Sequence, residues 1–539
     1  ARQGFHEGRP LELVSQSTRS HESAGGSAPM RPAAVARPVS QLPTTLTWRE
    51  PVPDVAVTGI TLDSSQVQPG DLYCALAGAN VHGAAFAADA ISAGARLILT
   101  DEVGADTIRE SHPDFPLLVA DDPRARVGVL SAWVYQNPSQ SLKVIGITGT
   151  DGKTTTAMLA EAGLQAAGHT TGLIGTIATR IGRDELPSVR TTPEAPELQA
   201  LLAVMRERGV TAVVMEVSSH AIALGRVSGI EFDLAVFTNL GHDHLDFHRS
   251  QEEYFAVKAK LFTADYTKAA LICVDDAWGQ RLAASVTVPL ETYSVPAPDG
   301  PGVDASADWR VSNLHIEAVG WQFLVAGPAG EARGGCQLPG IFNARNALAA
   351  IAAVTTVGSS LELACRGVAA CQAVPGRMQP IEAESGRVVL VDYAHTPDAV
   401  GRALEVGREL ANHRGGRVVA LLGCGGDRDA AKRPMMGEIA ARLADVVIIT
   451  DDNPRSEDPA VIRQEMMAGV EQVPESQRAQ VLQIAGREAA LQELVRVALP
   501  ADVALALGKG HETTQEIKGQ RFELDDRVVL AAAMAGAPR

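Results

Sequence analysis

A glycine-rich segment carries the strongest chemical signal in this sequence. The residues GITGTDGKTTT, at positions 146–156, follow the apolar run KVIGIT and precede a helical stretch. Glycine lets backbone N–H groups approach phosphate oxygens without a clash from Cβ. Lys153 offers a positive charge for terminal phosphates, and Thr154 offers a hydroxyl for Mg²⁺. Ile147 stands where the strict GxxxxGK[ST] pattern needs glycine, so a turn without a nucleotide stays the alternative.

Two further polar clusters follow apolar runs in the same part of the chain. Glu216 and Ser218 end the run AVVMEVSS, and a carboxylate there can hold the Mg²⁺ that bridges nucleotide phosphates. A helix N-cap is the alternative for Glu216. His244 and His248 have the i, i+4 spacing of zinc ligands on a helix. No third ligand with suitable spacing is evident, so zinc is not favoured.

A third polar group lies towards the C-terminus. Arg428 and Arg455 can each form a two-pronged hydrogen-bonded pair with a carboxylate. Glu512 and the backbone carbonyl of Gly508 can accept hydrogen bonds from an ammonium group. Solvated loops are the alternative, but the combination predicts a surface that binds a zwitterion.

The elements that must position these residues follow an α/β pattern. From about Thr58, short apolar strands alternate with Ala-rich helical stretches, and the strands are continuous apolar runs, as in a parallel sheet covered on both faces. The stretch 137–142 is predicted to be a linker. A boundary near Val374 opens four strand-then-loop units with a Rossmann-like pattern. Ligands collect at the carboxyl ends of strands in such sheets, where all three polar groups are expected.

Composition excludes several classes of protein. Lys and Arg number 47 against 64 Asp and Glu, and the net charge of −17 argues against nucleic-acid partners. The six cysteines lack CxxC spacing, which predicts buried thiols in a reducing cytosol. No apolar run reaches the roughly 18 residues of a membrane span, and residues 1–29 lack the apolar core of a secretory signal. We expect a soluble cytoplasmic protein that starts naturally at Met30.

Several segments together match one pattern. They are GTDGKTT (149–155), TTPE (191–194), MEVSSH (215–220), TNLGHDHLDFH (238–248) and YFAVKAKLF (254–262). This set resembles the ATP-dependent Mur ligases of peptidoglycan synthesis, and the resemblance covers the chain from about Thr58 onwards. It implies an α/β fold of three domains, with an extension at 1–29. The domains are a small N-terminal α/β nucleotide-sugar domain (30–142), a central P-loop ATPase-like parallel-sheet domain (143–375) and a C-terminal Rossmann-like domain (376–539).

The resemblance also implies the sites for ATP, Mg²⁺ and a CO₂-derived carbamate. Lys258 matches the family lysine that is carbamylated; an ammonium has no lone pair for a metal, whereas a carbamate is an anionic oxygen ligand. On spacing alone Lys258 would be a surface lysine near Glu252 and Glu253. The implied ATP-binding residues are Gly149, Thr150, Asp151, Gly152, Lys153, Thr154, Thr155, Asn346, Asp392 and His395. The implied Mg²⁺ ligands are Thr154, Glu216, His244 and Lys258, and the implied catalytic residues are Lys153, Glu216, His244 and Lys258.

Two substrate sites follow in the same way. The UDP-linked substrate is expected at Leu62, Ser64, Ala79, Asn80, Val81, Thr191, Thr192, Ser218 and Arg226. The segment DNPR (452–455) resembles the motif of members that add meso-diaminopimelate, and the implied residues are Arg428, Asp452, Asn453, Pro454, Arg455, Gly508 and Glu512. Ser65 stands where many members have Arg. Arg190 and Leu224 stand where diaminopimelate-adding members often have Asn and Gln.

The implied reaction is the ATP-dependent addition of meso-diaminopimelate to the D-glutamyl side-chain carboxylate of UDP-N-acetylmuramoyl-L-alanyl-D-glutamate through an acyl phosphate. The partners are then small molecules, and a monomer is expected. A lysine-adding ligase is disfavoured by Arg455. A folylpolyglutamate synthase-like ligase is a second alternative, and it is disfavoured because such enzymes lack the nucleotide-sugar domain. A non-catalytic scaffold with this fold would be favoured by Asp151, because the family has Asn there, but the other catalytic positions are intact.

Overall fold

The computed structural model describes residues 30–241, 248–295, 306–317, 319–381 and 386–536. The chain divides into two compact units. The first comprises Ala1–Ser294, Asp304–Trp309 and Ala352–Ser359, and the second comprises Val295–Val303, Arg310–Ile351 and Ser360–Arg539. No helix within the described ranges is long and apolar enough to cross a membrane.

A small parallel sheet builds the N-terminal part of the first unit. Its elements, with a short antiparallel pair before it, are β1 (Arg37–Pro38), β2 (Ala56–Val57), β3 (Gly59–Thr61), β4 (Asp71–Cys74), β5 (Leu97–Thr100), β6 (Leu117–Val119), α1 (Ala87–Ser92), α2 (Glu102–Ser111) and α3 (Pro123–Val134). The four strands β3 to β6 pair in chain order, all parallel. Helix α3 begins where Pro123 pre-sets the backbone and Asp122 accepts a hydrogen bond from the N–H of Ala125.

A larger sheet forms the centre of the first unit. Its elements are β7 (Lys143–Thr148), β8 (Thr171–Ile174), β9 (Ala178–Ile181), β10 (Asp184–Pro187), β11 (Ala212–Glu216), β12 (Leu234–Phe237), β13 (Ala270–Cys273), β14 (Leu290–Ser294), α4 (Lys153–Ala166), α5 (Ala195–Glu207), α6 (Ser219–Ala223), α7 (Gln251–Ala259) and α8 (Ala277–Ser285). The strand order in this unit is β10-β9-β8-β11-β7-β12-β13-β14. Strand β9 runs antiparallel to both of its neighbours, β8 and β10. Strand β7 lies between β11 and β12, so the carboxyl ends of these three strands converge.

Helix α5 joins the cores of the two sheets. Ala195, Ala200 and Ala203 belong to the buried cluster under the N-terminal sheet, whereas Leu198 and Leu202 belong to the core of the central sheet. Small side chains on one face let the helix approach the first sheet closely, and leucines fill the core on the other. The stretch 137–142, predicted to be a linker, contains a short 3₁₀ turn with Pro138 and Ser139 buried.

An antiparallel ribbon and two helices follow the central sheet in sequence. They are β15 (Trp309–Glu317), β16 (Gly320–Gly327), β17 (Gly330–Cys336), α9 (Ile341–Thr356) and α10 (Leu361–Ala370). Strand β16 pairs with both neighbours. This ribbon was not predicted from the sequence.

The C-terminal part of the second unit has the expected Rossmann-like pattern. Its elements are β18 (Gln379–Pro380), β19 (Val388–Asp392), β20 (Val418–Leu422), β21 (Val446–Ile449), β22 (Gln480–Gln483), β23 (Val503–Leu507), β24 (Thr514–Ile517), β25 (Gln520–Glu523), α11 (Pro397–Arg414), α12 (Lys432–Leu443), α13 (Pro459–Glu471), α14 (Arg487–Val497) and α15 (Asp526–Gly536). The sheet order is β18-β19-β23-β20-β21-β22, and only β18 is antiparallel. The hairpin β24–β25 stands apart from it.

Candidate active site

The phosphate loop joins β7 to α4 at the centre of the sheet. Gly149 and Gly152 have φ angles of +151° and +83°, and a Cβ at Gly149 would clash with the hydroxyl of Thr238. Only glycine adopts these conformations without strain. The Nζ of Lys153 donates hydrogen bonds to the carbonyls of Gly149 (2.9 Å) and Thr150 (2.8 Å). The lysine charge therefore lies directly at the loop, and its role towards terminal phosphates stays a prediction.

Glu216 ends β11 beside this loop and is 1% exposed. Its Oε2 accepts a hydrogen bond from the hydroxyl of Thr154 at 2.9 Å. Thr176 donates two more, from its N–H at 2.7 Å and its hydroxyl at 3.1 Å. Among the described residues, no lysine, arginine or histidine forms an ion pair with Glu216. A buried carboxylate beside a hydroxyl is a donor set that suits Mg²⁺.

Lys258 lies on α7 and is 1% exposed, so it is not the surface lysine that spacing alone would suggest. Its Nζ donates to the carbonyl of Gly149 at 2.9 Å and lies 4.6 Å from the centre of the Tyr254 ring. Tyr254 in turn contacts the hydroxyl of Thr150 at 3.2 Å. Helix α7 thus brings Lys258 to the phosphate loop. His244, the remaining predicted Mg²⁺ ligand, lies outside the described residues.

His248 and Asp151 are held by nearby groups. The Nε2 of His248 is 3.1 Å from the hydroxyl of Ser219, and its ring packs against Tyr254. The backbone N–H of Asp151 donates to Oδ1 of Asn239 at 3.0 Å, and its carbonyl accepts from the hydroxyl of Thr238 at 2.6 Å. The residue at 151 therefore anchors the loop through its backbone, whichever side chain it carries.

The residues predicted for the dipeptide end of the substrate meet beside Glu216. The hydroxyl of Thr192 donates to the carbonyl of Glu216 (2.9 Å) and lies 3.4 Å from the hydroxyl of Ser218. Arg226 donates to the carbonyl of Thr192 at 3.2 Å, and the hydroxyl of Thr191 lies 3.0 Å from that of Thr176. The structure brings this half of the predicted site together.

The residues predicted for the uridine end follow β3 and β4. Leu62 and Ser64 are half-buried, and Ser64 begins a short 3₁₀ turn. Ala79, Asn80 and Val81 form an exposed loop after β4. Both segments follow the carboxyl ends of neighbouring parallel strands. In such sheets, this is the edge at which ligands bind.

Asp392 and His395 lie at the end of β19 in the second unit. Asp392 accepts hydrogen bonds from the N–H groups of Met378 (2.7 Å) and Ala394 (2.8 Å). Burial raises the pKa of Asp392, and the charge of Arg377 opposes the rise. Arg377 stacks over the ring of Tyr393 at 4.8 Å. Arg377 is not predicted from the sequence, although it lies close to the domain boundary expected near Val374, because a lone arginine gives no signal.

The two asparagines at the start of α9 form a pair. Asn343 is buried, donates to the carbonyl of Pro339 at 2.7 Å and accepts from Nδ2 of Asn346 at 3.1 Å. Asn343 therefore holds the helix start, and it orients the amide of Asn346, the residue predicted to read adenine. That contact with adenine stays a prediction.

The DNPR segment is anchored to the hairpin β24–β25. Arg455 has a φ of +50°, its N–H donates to the carbonyl of Glu516 at 3.0 Å, and its carbonyl accepts from the N–H of Lys518 at 2.6 Å. Its guanidinium donates to the carbonyl of Gly426 at 2.6 Å. An arginine in the left-handed region is strained, so its place depends on these contacts.

Several groups around this segment were predicted, and others were not. Nδ2 of Asn453 donates to Glu512 at 2.7 Å, and a Cβ at Gly508 would lie 2.6 Å from a carboxylate oxygen of Asp452. Arg428 is exposed, and Pro454 follows Asn453 in the loop. Two charged groups near this segment were not predicted. Lys509 is fully buried, with its Nζ 3.4 Å from Glu512. Arg487 forms a buried ion pair with Asp526 and lies 3.9 Å from Asp452. Asp526 is distant in sequence from Arg487, and Lys509 follows directly after the apolar strand β23, so no local pattern indicates either buried charge.

Comparison with known proteins identifies the family of this chain. Residues 56–130 match the catalytic domain of the Mur ligase family, residues 147–354 match the Mur ligase middle domain, and residues 376–510 match the Mur ligase glutamate ligase domain. The chain belongs to the Mur ligase family. The family recognised from the motifs and the predicted three-domain α/β fold are both confirmed.

Individual relatives are similar over almost the whole chain. The chain is 47% identical over 511 residues to the UDP-N-acetylmuramoyl-L-alanyl-D-glutamate–2,6-diaminopimelate ligase of Streptomyces avermitilis, covering 94% of this chain and 98% of that protein. It is 45% identical to the ligase of the same name from Corynebacterium glutamicum, with 90% and 93% covered. A solved structure of a ligase of this name superposes with a TM-score of 0.67 at 30% identity, covering 93% and 99%.

Proposed function

We propose that this protein is an ATP-dependent ligase that adds meso-diaminopimelate to the D-glutamyl side-chain carboxylate of UDP-N-acetylmuramoyl-L-alanyl-D-glutamate. The observation that carries the proposal is the contact of Thr154 with the buried Glu216 at the end of a glycine-rich phosphate loop. The similarity to diaminopimelate ligases over nearly the full length supports the choice of substrates. The setting is peptidoglycan precursor synthesis in the cytoplasm, by a monomer.

The first half-reaction moves the γ-phosphoryl group of ATP to the D-glutamyl side-chain carboxylate, which gives an acyl phosphate and ADP. Such transfers depend on positioning and on neutralisation of charge. The backbone N–H groups of the loop and the ammonium of Lys153 bind and orient the phosphates. Thr192, Ser218 and Arg226 orient the dipeptide carboxylate beside Glu216.

Bound Mg²⁺ would neutralise the phosphate oxygens during this transfer. The hydroxyl of Thr154 and the carboxylate of Glu216 would hold it, and both are hard oxygen donors of the kind that Mg²⁺ prefers. We propose that Lys258 becomes an anionic oxygen group by reaction of its neutral amine with CO₂, with release of one proton. Its burial and its hydrogen bond to the loop carbonyl of Gly149 support this proposal, because an anionic group beside the loop would help to order the metal site.

The second half-reaction is attack by an amine of diaminopimelate on the acyl carbon, with loss of phosphate and of one proton from the amine. Arg455 would pair with the distal carboxylate of diaminopimelate, the group that lysine lacks. Glu512 and the carbonyl of Gly508 would accept hydrogen bonds from the distal ammonium. With lysine the guanidinium would lose its partner, and an unpaired charge at such a site typically costs several kcal/mol.

The test is release of ADP from ATP by the full chain with each candidate set of substrates. We expect release only when the nucleotide-linked dipeptide and meso-diaminopimelate are both present with Mg²⁺. Equal turnover with lysine would favour a lysine-adding ligase. Turnover with a folate and glutamate instead would favour a folylpolyglutamate synthase-like ligase. No stimulated release under any of these conditions would favour the non-catalytic scaffold.

A further inference from the structure

The two arginines predicted to bind the amino acid lie on neighbouring loops of the second unit. Strands β20 and β21 are parallel neighbours, so the loops that follow them leave the same edge of the sheet. The first loop, residues 423–431, carries Arg428, and the second, residues 450–458, carries Arg455. An amino acid that contacts both guanidinium groups loses least binding energy to ordering when the spacing of the two loops is already fixed.

The backbones of the two loops are tied to each other. The N–H of Gly426 donates to the carbonyl of Asn453 at 2.9 Å. The carboxylate of Asp427 accepts hydrogen bonds from both the N–H and the hydroxyl of Ser456. Asp427 has a φ of +54°, a conformation that is held by its surroundings. Because Asp427 and Ser456 are each the sequence neighbour of one of the two arginines, these ties lie directly beside the predicted site.

A buried arginine and one carboxylate complete the connection. Oε1 of Glu457 accepts hydrogen bonds from the N–H of Asp427 at 2.5 Å and from Nη2 of Arg433 at 2.8 Å. Its Oε2 accepts a further hydrogen bond from Nη1 of Arg433 at 2.9 Å. Arg433, in the first turn of α12, also donates to the carbonyl of Gly425 at 3.3 Å. Glu457 of the second loop is thus bonded both to the first loop and to the helix that follows it.

The pair of Glu457 and Arg433 is charged and lies outside the set of residues predicted to bind the amino acid. The hydrogen bonds from Arg433 and from the N–H of Asp427 lower the pKa of Glu457, so its carboxylate stays ionised at neutral pH. The guanidinium of Arg433 is 1% exposed and therefore does not reach a ligand in solution. A two-pronged ion pair of this kind holds its partners in one geometry. Its role is thus to position the loops rather than to bind substrate.

We propose that Glu457, held by Arg433, is a positioning residue that fixes the spacing of the loops that carry Arg428 and Arg455. This inference rests on the proposed function and deepens it, because it names what sets the geometry of the amino-acid site. Glu457 acts through the N–H of Asp427 and not through contact with the amino acid.

Glu457→Gln tests this role, and Glu465→Gln is the matched control. Both glutamates pair with Arg433, and their side chains are 32% and 41% exposed, so each variant removes one charge from the same arginine. Glu465 lies on α13, and among the described residues its carboxylate forms hydrogen bonds with Arg433 and not with either loop. Two quantities are measured on the full chain. They are the amide hydrogen exchange of both loops without substrates, and the KM values for meso-diaminopimelate and ATP.

We expect Glu457→Gln to speed amide exchange in both loops about tenfold and to raise the KM for meso-diaminopimelate about five- to tenfold. The KM for ATP should stay within about twofold, and Glu465→Gln should leave all three quantities within about twofold of wild type. Asp427→Asn should change the same quantities in the same direction as Glu457→Gln. Asparagine tolerates the left-handed backbone, so this second variant decides the question if Glu457→Gln melts at a much lower temperature.

The inference is overturned if loop exchange and the KM for meso-diaminopimelate stay at the wild-type values, or if Glu465→Gln changes them equally. An equal rise in both KM values would also overturn it, because a general loss of structure does not distinguish the two substrates. If wild type releases no ADP with the proposed substrates, the ligase function is rejected, while faster exchange in Glu457→Gln alone still supports the positioning role. Full wild-type activity with unchanged loops in both test variants would keep the function and reject the inference.

Discussion

Thr176 and Glu216 are joined by two hydrogen bonds, one from the backbone N–H and one from the hydroxyl of the threonine. The same hydroxyl lies 3.0 Å from that of Thr191. Thr176 therefore fixes the carboxylate proposed to hold Mg²⁺ and lies next to a residue proposed to contact the dipeptide. The contact of Thr176 with Glu216 could not be predicted from the sequence, because the two residues are 40 positions apart.

Thr176→Val should lower kcat about tenfold and raise the Mg²⁺ concentration needed for half-maximal rate. The valine keeps the shape and the backbone hydrogen bond but removes the hydroxyl, so the carboxylate is held less firmly. Steady-state kinetics at varied Mg²⁺ measure both effects. Thr176→Ser should restore both values. Thr179→Val, at a buried threonine of β9, is the control; a similar kinetic change there would contradict the positioning role.

Arg455→Ala should raise the KM for meso-diaminopimelate on the order of 100-fold and leave the KM for ATP within about twofold. The reason is the loss of the guanidinium that is proposed to pair with the distal carboxylate. The same variant should also lose its preference for diaminopimelate over lysine. Arg521→Ala, on the exposed strand β25, is the control. Equal rises in both KM values would remove Arg455 from amino-acid recognition.

Lys258 should gain about 44 Da, the mass of CO₂, when the protein is prepared in bicarbonate at neutral pH. Native mass spectrometry avoids the acid that removes CO₂ from carbamates. Lys258→Arg keeps a positive charge but cannot form the carbamate, so the variant should lose most of its kcat while it keeps its fold. Lys260, two residues on, should stay unmodified, and an equal gain at both positions would point to non-selective reaction.

The stability of the protein should fall between pH 6.5 and pH 4 in part because of His511. Burial, with the charges of Arg377, Arg527 and Lys509, lowers the pKa of His511 to about 4. The unfolded chain takes up this proton near pH 6.5, whereas the folded chain resists it, so stability is complete above pH 6.5 and is lost as pH falls.

The histidine contribution is on the order of 1–3 kcal/mol. His511→Gln should therefore flatten the fall in the free energy of unfolding between pH 7 and pH 4.5, measured by denaturant titration. His315→Gln, at an exposed histidine, is the control. An unchanged slope in His511→Gln would show that other groups cause the acid sensitivity.

The sequence was sufficient to predict the buried strands and the residues that follow them. The runs KVIGIT and AVVMEVSS contain β7 and β11, because a strand covered on both faces must be apolar throughout. Strands β22, β24 and β25 escaped prediction because they are short and largely exposed, so their sequences carry no apolar run.

The candidate site was predictable to the extent that each residue follows a strand of its own. The phosphate loop and Glu216 were singled out by the strands that precede them, and Lys258, on helix α7, only by the family resemblance; the structure brings all three together. Groups that act through tertiary contacts were not identified. Arg487 is an example, because its burial against Asp526, which is 39 positions further along the chain, and near Asp452 depends on the fold and on no local pattern.

The alanine face of α5 has a consequence for dissection of the protein. Because Ala195, Ala200 and Ala203 complete the core of the N-terminal sheet, deletion of that sheet would uncover a hydrophobic surface on the remainder. The N-terminal sheet is thus not a detachable module. Because Leu198 and Leu202 of the same helix lie in the core of the central sheet, truncations for crystallisation or chimaeras with other ligases should keep the N-terminal sheet, α5 and the central sheet together.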